Sequence, residues 1–354
     1  MAGRRGYRAL RLIATAASTI DPQVLFPQLA SMPLIYPKVS LILLAYRQEK
    51  YVGAAVESAL DQDYPNLEIL LSDDCSPDGT FGIMDELARA YSGPHSVHIF
   101  KTPTNLGTAR HLQGLVDRAG GDLLVLAAGD DNSAPERTRR LVDAWLAAGA
   151  GPAMLYSDYR PLNLAGELLA GRSQVVRASP PTFREACRGE LEVHGATSAV
   201  TPSLFRDFAP ISSEVVFEDR VLPFRALLLG GSVIYVDVPL VDYRIAGGIS
   251  RSPDDAAQAP EFELKTIERK LADARQRLAD VVAKRSSDTK ALRACRATIL
   301  DHQARLAFGR GSSLLHEVRL LRWLAAGARV SRTVKSYVRY RLLSLGLLGL
   351  FGRR

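Results

Sequence analysis

Residues 39–80, VSLILLAYRQEKYVGAAVESALDQDYPNLEILLSDDCSPDGT, decide the fold. VSLILLA (39–45) is apolar without alternation, as a strand covered on both faces must be. A helix is expected from about Tyr51 to Asp61, because Val52, Ala55, Val56, Ala59 and Leu60 fall on one face. LEILLSD (67–73) then supplies a second buried strand. Strand, helix and strand in this order make the crossover unit of a parallel sheet.

Outward from this unit the alternation continues. A helix over roughly 80–91 leads to the strand SVHIFKT (96–102), and a helix over 108–118 leads to the strand DLLVLAA (122–128). Pro135 marks a further helix start, and AMLYSD (153–158) is a fifth strand. Residues 159–258 are less regular, with a helix expected near 218–229, a strand GSVIYVD (231–237) and a loop at Gly247-Gly248. The pattern predicts an α/β domain over 38–258 with a mostly parallel sheet and helices on both faces.

With 354 residues and 47% hydrophobic content, the chain can bury a large core. Cys75, Cys187 and Cys295 are widely spaced and form no CxxC pair, so neither a disulfide framework nor a zinc cluster is indicated and a cytoplasmic setting fits. No run of eighteen apolar residues suggests a membrane-spanning helix. Residues 1–37 form a leader with Arg4, Arg5, Arg8 and Arg11 ahead of a short apolar stretch. An irregular, partly disordered segment is the plainer expectation there than a cleaved signal.

Beyond Pro260, Leu264, Ile267, Leu271, Ala274, Leu278 and Val281 step by three and four. Leu292, Cys295, Ile299, His302 and Leu306 resume that spacing. This predicts a helical hairpin over 259–309, packed within itself or on the main domain, and leaves a homodimer through these helices open. The net charge of +7 is concentrated in 310–354, which holds ten Lys or Arg against the single acid Glu317. TVKSYVRYRLLSLGLLGLFGRR (333–354) interleaves those cations with leucines, as a basic amphipathic tail lying on an anionic membrane surface would. Its scarcity of stacking aromatics argues against nucleic acid as the partner.

LVLAAGDDN (124–132) ends an apolar strand in adjacent carboxylates, at the sheet edge where open α/β folds bind ligands. Asp130 and Asp131 suit a hard divalent cation; a helix cap is the competing explanation for them. The first strand delivers Tyr46 to the same edge and the second delivers Asp73 and Asp74, so an aromatic face and an N–H acceptor stand side by side. A nucleotidyltransferase would normally place a Gly-rich loop after the first strand, and AYRQEKY contains no Gly.

In this order AYRQEKY, SDDCSPDGT, TNLGTAR (104–110), AAGDDN (127–132) and FEDR (217–220) resemble the signature of family 2 glycosyltransferases, inverting enzymes of the GT-A fold. The resemblance covers roughly 38–250, with 38–158 as the nucleotide-binding half and 159–258 as the acceptor half. It implies that Tyr46 and Asp74 contact the base. It also implies that Glu49, Asn105, Gly107, Arg110, Asp130 and Arg244 lie in the nucleotide-sugar site. Asp130 and Asp131 would hold Mg²⁺ or Mn²⁺, although Ala128 stands where the family's first metal-motif Asp is usual. Asp219, with Glu218 as fallback, would be the general base; acids favoured at a helix N-terminus are the structural alternative.

The implied donor is a UDP-, dTDP- or GDP-linked sugar. The implied acceptor is a glycan or lipid-linked hydroxyl in cell-surface polysaccharide or lipopolysaccharide synthesis, reached from the inner face of the cell membrane. The alternative is a catalytically degenerate sugar-nucleotide or glycan-binding module, suggested by Ala128.

Overall fold

Strands β1 (Val39–Ala45), β2 (Leu67–Asp73), β3 (Ser96–Lys101) and β4 (Leu123–Ala128) alternate with helices α1 (Val52–Leu60), α2 (Thr80–Ala90) and α3 (Thr108–Val116). The computed structural model describes residues 36–170, 180–191, 193–216, 218–245 and 259–310. The expected leader, the basic tail beyond Arg310, the Gly247-Gly248 loop and the neighbouring Arg251 lie outside the described residues.

Among the described residues one eight-stranded sheet runs in the order β3-β2-β1-β4-β7-β6-β8-β5. Its first four strands are mutually parallel, with Ala45 beside Asp73 and Leu44 beside Ala128. The other strands are β5 (Asn132–Ser133), β6 (Ala153–Leu162), β7 (Ser198–Val200) and β8 (Ser232–Arg244). β7 is antiparallel to both β4 and β6, β6 is parallel to β8, and β5 is antiparallel to β8. Helices α4 (Arg137–Ala147), α5 (Phe183–Cys187), α6 (Ser203–Arg206) and α7 (Leu222–Leu228) complete the domain.

Strand alternation explains why β1, β2 and β4 show no polar face. Leu41, Leu43, Ile69, Leu71 and Val125 point to one side, where α1, α2 and α4 cover them with Val52, Val56, Met84, Leu141 and Trp145. Ile42, Leu70, Leu124 and Leu126 point to the other, against Leu112 and Val116 of α3, Phe205 of α6 and Leu222 of α7. Both layers are buried, so apolar residues occupy both faces, and the polar exceptions Ser40, Glu68, Ser72 and Asp73 are buried and hydrogen-bonded.

β8 is longer than the 231–237 expected. Asp237 and Pro239 look like a stop, yet pairing resumes beyond an irregularity at Ser157–Tyr159, where Asp158 faces Pro239 and Tyr159 faces Val241. A bulge is one of the few places a sheet tolerates Pro, and here it carries the strand on to Arg244. The single helix expected over 218–229 is instead a 3₁₀ turn, Glu218–Arg220, followed by α7, whose start carries Pro223.

Helices α8 (Ala259–Arg285) and α9 (Thr289–Gly309) run against each other. They also pack on the domain: Val281, Ala291 and Cys295 bury with Cys187 of α5 and with Phe224 and Leu228 of α7. A buried ion pair fixes the junction. Arg225, fully inaccessible, donates Nε to Asp280 Oδ2 at 2.8 Å and Nη2 to Oδ1 at 3.2 Å, and reaches the carbonyls of Leu204 and Ala209. Cys187 and Cys295 are free thiols that hydrogen-bond each other, and the bond lifts the first above the ordinary thiol range while lowering the second.

Candidate active site at the carboxyl edge of the sheet

Parallel pairing brings the ends of β2, β1 and β4 together, and each leaves the sheet through a tight turn. Arg47 and Cys75 adopt left-handed backbone, with φ of 56° and 61°. Such strain, of order 1–3 kcal/mol per residue, persists only where surrounding bonds enforce it. Here Arg47 N–H donates to Ser76 Oγ, Gln48 N–H to Thr80 Oγ1 and Ser76 N–H to Asp73 Oδ2. Tyr46 is left exposed at the rim with the Arg47 guanidinium 5.2 Å from its ring centre.

Asp74 is only 3% exposed. Oδ1 accepts from Thr102 Oγ1 at 3.0 Å and Leu106 N–H at 2.9 Å, and Oδ2 from Gly107 N–H at 2.8 Å. The carboxylate therefore holds the TNLG loop in place. Gly107 closes that loop with φ of 75°, a conformation natural to glycine. Asn105 and Arg110 are exposed around it, and Glu49 is exposed across the edge, where Oε2 accepts from Gly79 N–H.

Gly129 continues β4 with its N–H on the carbonyl of Leu44. A Cβ there would stand 2.5 Å from Gln48 Oε1 and 2.9 Å from Ala45 Cβ, so glycine permits the close approach. Asp130 and Asp131 follow. Asp131 is 6% exposed; Oδ1 accepts from Arg244 N–H at 2.8 Å, while Oδ2 is buried without a hydrogen-bond partner among the described residues. Burial first, then the Asp130 charge, push its carboxyl up to about 8; burial raises Asp130 as well.

Two buried arginines brace the segment. Arg244 donates Nε to the Asp130 carbonyl and Nη1 to that of Asn163, and lies 4.1 Å over the Tyr51 ring. Arg137, at the start of α4, reaches the carbonyls of Leu126 and Ala196, with burial lowering its pKa to about 10.

The wall opposite is built by β6, β8 and the two 3₁₀ turns. Asp219 is half-buried and its Oδ2 accepts from Gly195 N–H at 3.2 Å. Glu218 beside it is almost fully buried, and desolvation, aided by the Asp219 charge, lifts it to about 8. Gly195 fits tightly against both, since a Cβ would meet Glu218 Oε1 at 3.0 Å. Tyr159, His194 and Tyr243 form an aromatic cluster with ring centres 4.8–5.9 Å apart. Burial first, then Asp131, raise the Tyr243 phenol to about 12, with Asp130 and Asp219 adding to the shift.

Tyr46, Glu49, Asp74, Asn105, Gly107, Arg110, Asp130, Asp131, Arg244, Glu218 and Asp219 thus occupy connected turns along one sheet edge. Gln48, Arg137 and the Tyr159–Tyr243 pair belong to the same region and were not singled out from sequence. Arg137 carried a signal: it shares the apolar stripe of α4 with Leu141 and Trp145, where an unpartnered charge would be costly. Among the described residues no cluster of three or more His, Cys, Asp or Glu gathers as a metal site, and no helix is long and apolar enough to cross a membrane.

A parallel sheet with acids at its carboxyl edge, extended by an antiparallel β7, defines an α/β fold of the nucleotide-sugar transferase class. Residues 40–197 match the family described as "Glycosyl transferase family 2", and the fold is GT-A-like.

The chain is similar to the putative glycosyltransferase EpsE of Bacillus subtilis, 37% identical over 30% of this chain and 37% of that protein. It is similar also to the succinoglycan biosynthesis protein ExoO of Rhizobium meliloti, 31% identical over 32% of this chain and 31% of that one. The chain spans less than half the length of these curated relatives. Two solved structures share the fold. TarS 1–349 of S. aureus in complex with UDP-GlcNAc superposes with TM-score 0.52 at 16% identity, covering 87% of this chain and 92% of that one. The mannosyltransferase PcManGT of Pyrobaculum calidifontis in complex with GDP-Man and Mn2+ gives 0.50 at 15%, covering 100% and 97%.

Proposed function

We propose that the chain is an inverting glycosyltransferase that moves a sugar from a nucleoside-diphosphate donor to a hydroxyl of a glycan or lipid-linked acceptor. The observation that carries this reading is the division of labour between Glu218 and Asp219. Glu218, held near pKa 8 by burial, keeps its proton at neutral pH and is a poor acceptor. Asp219 is the more accessible of the two and is oriented by Gly195 N–H, which suits a base facing an incoming hydroxyl.

The step is a single displacement. The acceptor oxygen bonds to the anomeric carbon, its proton passes to the Asp219 carboxylate, and the bond from anomeric carbon to phosphate oxygen breaks with the electron pair leaving on the nucleoside diphosphate. Tyr46 offers its exposed face for stacking on the base, and Asp74 keeps Asn105 and Gly107 of the TNLG loop against the nucleotide. Glu49 and Arg110 border the same site.

Mg²⁺ or Mn²⁺ fits this chain at Asp130 and Asp131: the buried, partnerless Asp131 Oδ2 beside a second carboxylate is a donor set short of a cation. When bound there, the ion supplies Lewis-acid stabilisation of the leaving diphosphate. Arg244 fixes the backbone of that pair. The names of relatives such as the succinoglycan protein support a place in cell-surface polysaccharide synthesis. The basic amphipathic pattern of 333–354 supports work at the cytoplasmic membrane face.

The test is Asp219→Asn in the full chain, with a panel of UDP-, dTDP- and GDP-sugars and Mn²⁺. Donor binding, followed as a rise in thermal stability, should persist while transfer falls by a factor of 10² or more. Undiminished transfer would overturn the assignment of the base. A wild-type chain that binds donors without turnover would instead establish the degenerate-module reading that Ala128 raises.

A further inference from the structure

Where the C-terminal helices meet the domain, the structure holds a polar cavity of about 70 Å³ that the proposed transfer does not use. Five cations line it: Arg188, Arg220, Lys270, Arg277 and Arg305. Two carboxylates of the lining, Asp273 and Asp301, and Glu190 at 4.0 Å from Arg188 stand against them, which leaves the cavity an excess of positive charge. Arg220 approaches Asp273, at 3.5 Å from Nη1 to Oδ2.

Arg277 is the sharpest anomaly. It is 3% exposed, and its Nε has no hydrogen-bond partner among the described residues. Nε of Arg305 is likewise buried and unpartnered. Burial first, with the Arg220 charge, lowers the Arg277 pKa, and Asp273 opposes them. Its position is confined as well, for a Cβ on Gly189 would stand 2.7 Å from Nη2. The Asp273 carboxylate acts on Arg277 by its charge, yet both its oxygens are also buried without a hydrogen-bond partner among the described residues; a buried guanidinium N–H left without an acceptor is costly. Guanidinium forks in a positively charged cavity suit tetrahedral oxyanions, to which each can donate two hydrogen bonds.

We propose that this cavity is a binding site for a phosphate group, closed jointly by the 3₁₀ turn, α8 and α9. Arg220 directly follows Asp219 in that turn, so an occupied cavity would set the position of the candidate base. The phosphate can belong to a phosphorylated lipid or be free in solution. Occupancy itself does not rest on the transferase reading; its effect on Asp219 does.

The experiment is calorimetric titration of the full chain with inorganic phosphate, at constant ionic strength and without donor or acceptor. The wild type should bind saturably. Lys270→Gln and Arg305→Gln, both at partly exposed positions, should each weaken binding tenfold or more while circular dichroism and unfolding temperature confirm the fold. Arg275→Gln, exposed on α8 outside the cavity and paired with Glu214, should leave it unchanged. Absence of saturable binding, or binding that the two cavity variants leave intact, overturns the proposal; phosphate held at the donor edge would show itself by weakening in Arg244→Gln instead.

A second arm uses phosphatidylcholine vesicles with and without phosphatidic acid. If inorganic phosphate releases the wild type, but not Arg305→Gln, from the acidic vesicles, the phosphate is a lipid's. If phosphate binds and vesicles do not compete, it is soluble. Both outcomes support the site, and neither depends on turnover.

Discussion

Replacing Glu218 by Gln makes the buried acid pair measurable through stability. Burial and the Asp219 charge raise the Glu218 carboxyl from 4.5 to about 8 on folding. Between those values the folded chain keeps a proton that the unfolded chain has released. The contribution of this group is full below pH 4.5, declines as pH rises, and is exhausted above about pH 8. The slope is about 1.4 kcal/mol per pH unit, hence about 3 kcal/mol from pH 5.5 to 7.5. Glutamine has the same shape and no charge to bury, so the variant lacks this slope. The shifted Asp131 is present in both proteins and cancels in the difference. Urea unfolding at pH 5.5, 6.5 and 7.5 should show the variant gaining on the wild type by about 3 kcal/mol with an unchanged denaturant slope. Parallel pH profiles would refute the claim that Glu218 is protonated in the folded site.

Asp74→Ala removes the acceptor of three hydrogen bonds to the 102–107 segment. It should cost about 3 kcal/mol and accelerate amide exchange at Leu106 and Gly107; unchanged exchange would show that the loop holds itself. Gly129→Ala places a methyl 2.5 Å from Gln48 Oε1, so titration should find donor affinity lowered tenfold or more, with a loss of roughly 1–3 kcal/mol in unfolding free energy. Arg225→Met strands Asp280 in the interior and should cost about 3–5 kcal/mol, whereas Arg225→Met with Asp280→Leu should recover much of it. Equal destabilisation of the single and double variants would count against a charge origin.

The parallel half of the sheet was legible because its strands are buried on both faces and its helices carry a clear apolar stripe. Strands β1 and β2 begin and end where VSLILLA and LEILLSD do. The antiparallel half was not. β7 has three residues and β5 two, too few to show a period, and Pro239 hid the continuation of β8 that brings Arg244 to the site. The grouping of site residues at one edge followed from strand order, but their partners did not. Nothing in SDDCSPDGT announces that Asp74 accepts from the Thr102 hydroxyl and the Leu106 and Gly107 N–H groups about 30 residues on, since such bonds depend on how two turns meet. The phosphate-site candidates were equally hidden. Arg277 and Arg305 lie off the apolar spacing of their helices, and only the packing of α8 and α9 brings them to one cavity.

The edge contains two adjacent acid pairs, Asp130-Asp131 and Glu218-Asp219, and their surroundings assign them different tasks. In each, one carboxyl is driven to about 8, chiefly by burial. The resemblance ends with the unmet groups. Asp131 presents a buried oxygen with no donor among the described residues, and Arg244 satisfies only its other oxygen; on the proposed reading a cation would meet that oxygen and offset the repulsion from Asp130. Neither oxygen of Glu218 is such an orphan among the described residues, and a proton suffices to neutralise it; on the proposed reading the more accessible Asp219 would then face the acceptor. Environments that drive neighbouring carboxyls apart are how one site holds a base and a charge-bearing ligand at the same pH. If the proposed cation binds there, the missing acid at Ala128 would weaken its grip without touching the proposed proton-accepting step. Arg137 and Arg244, by clamping the backbone on either side of Asp131, hold the remaining two carboxylates in place.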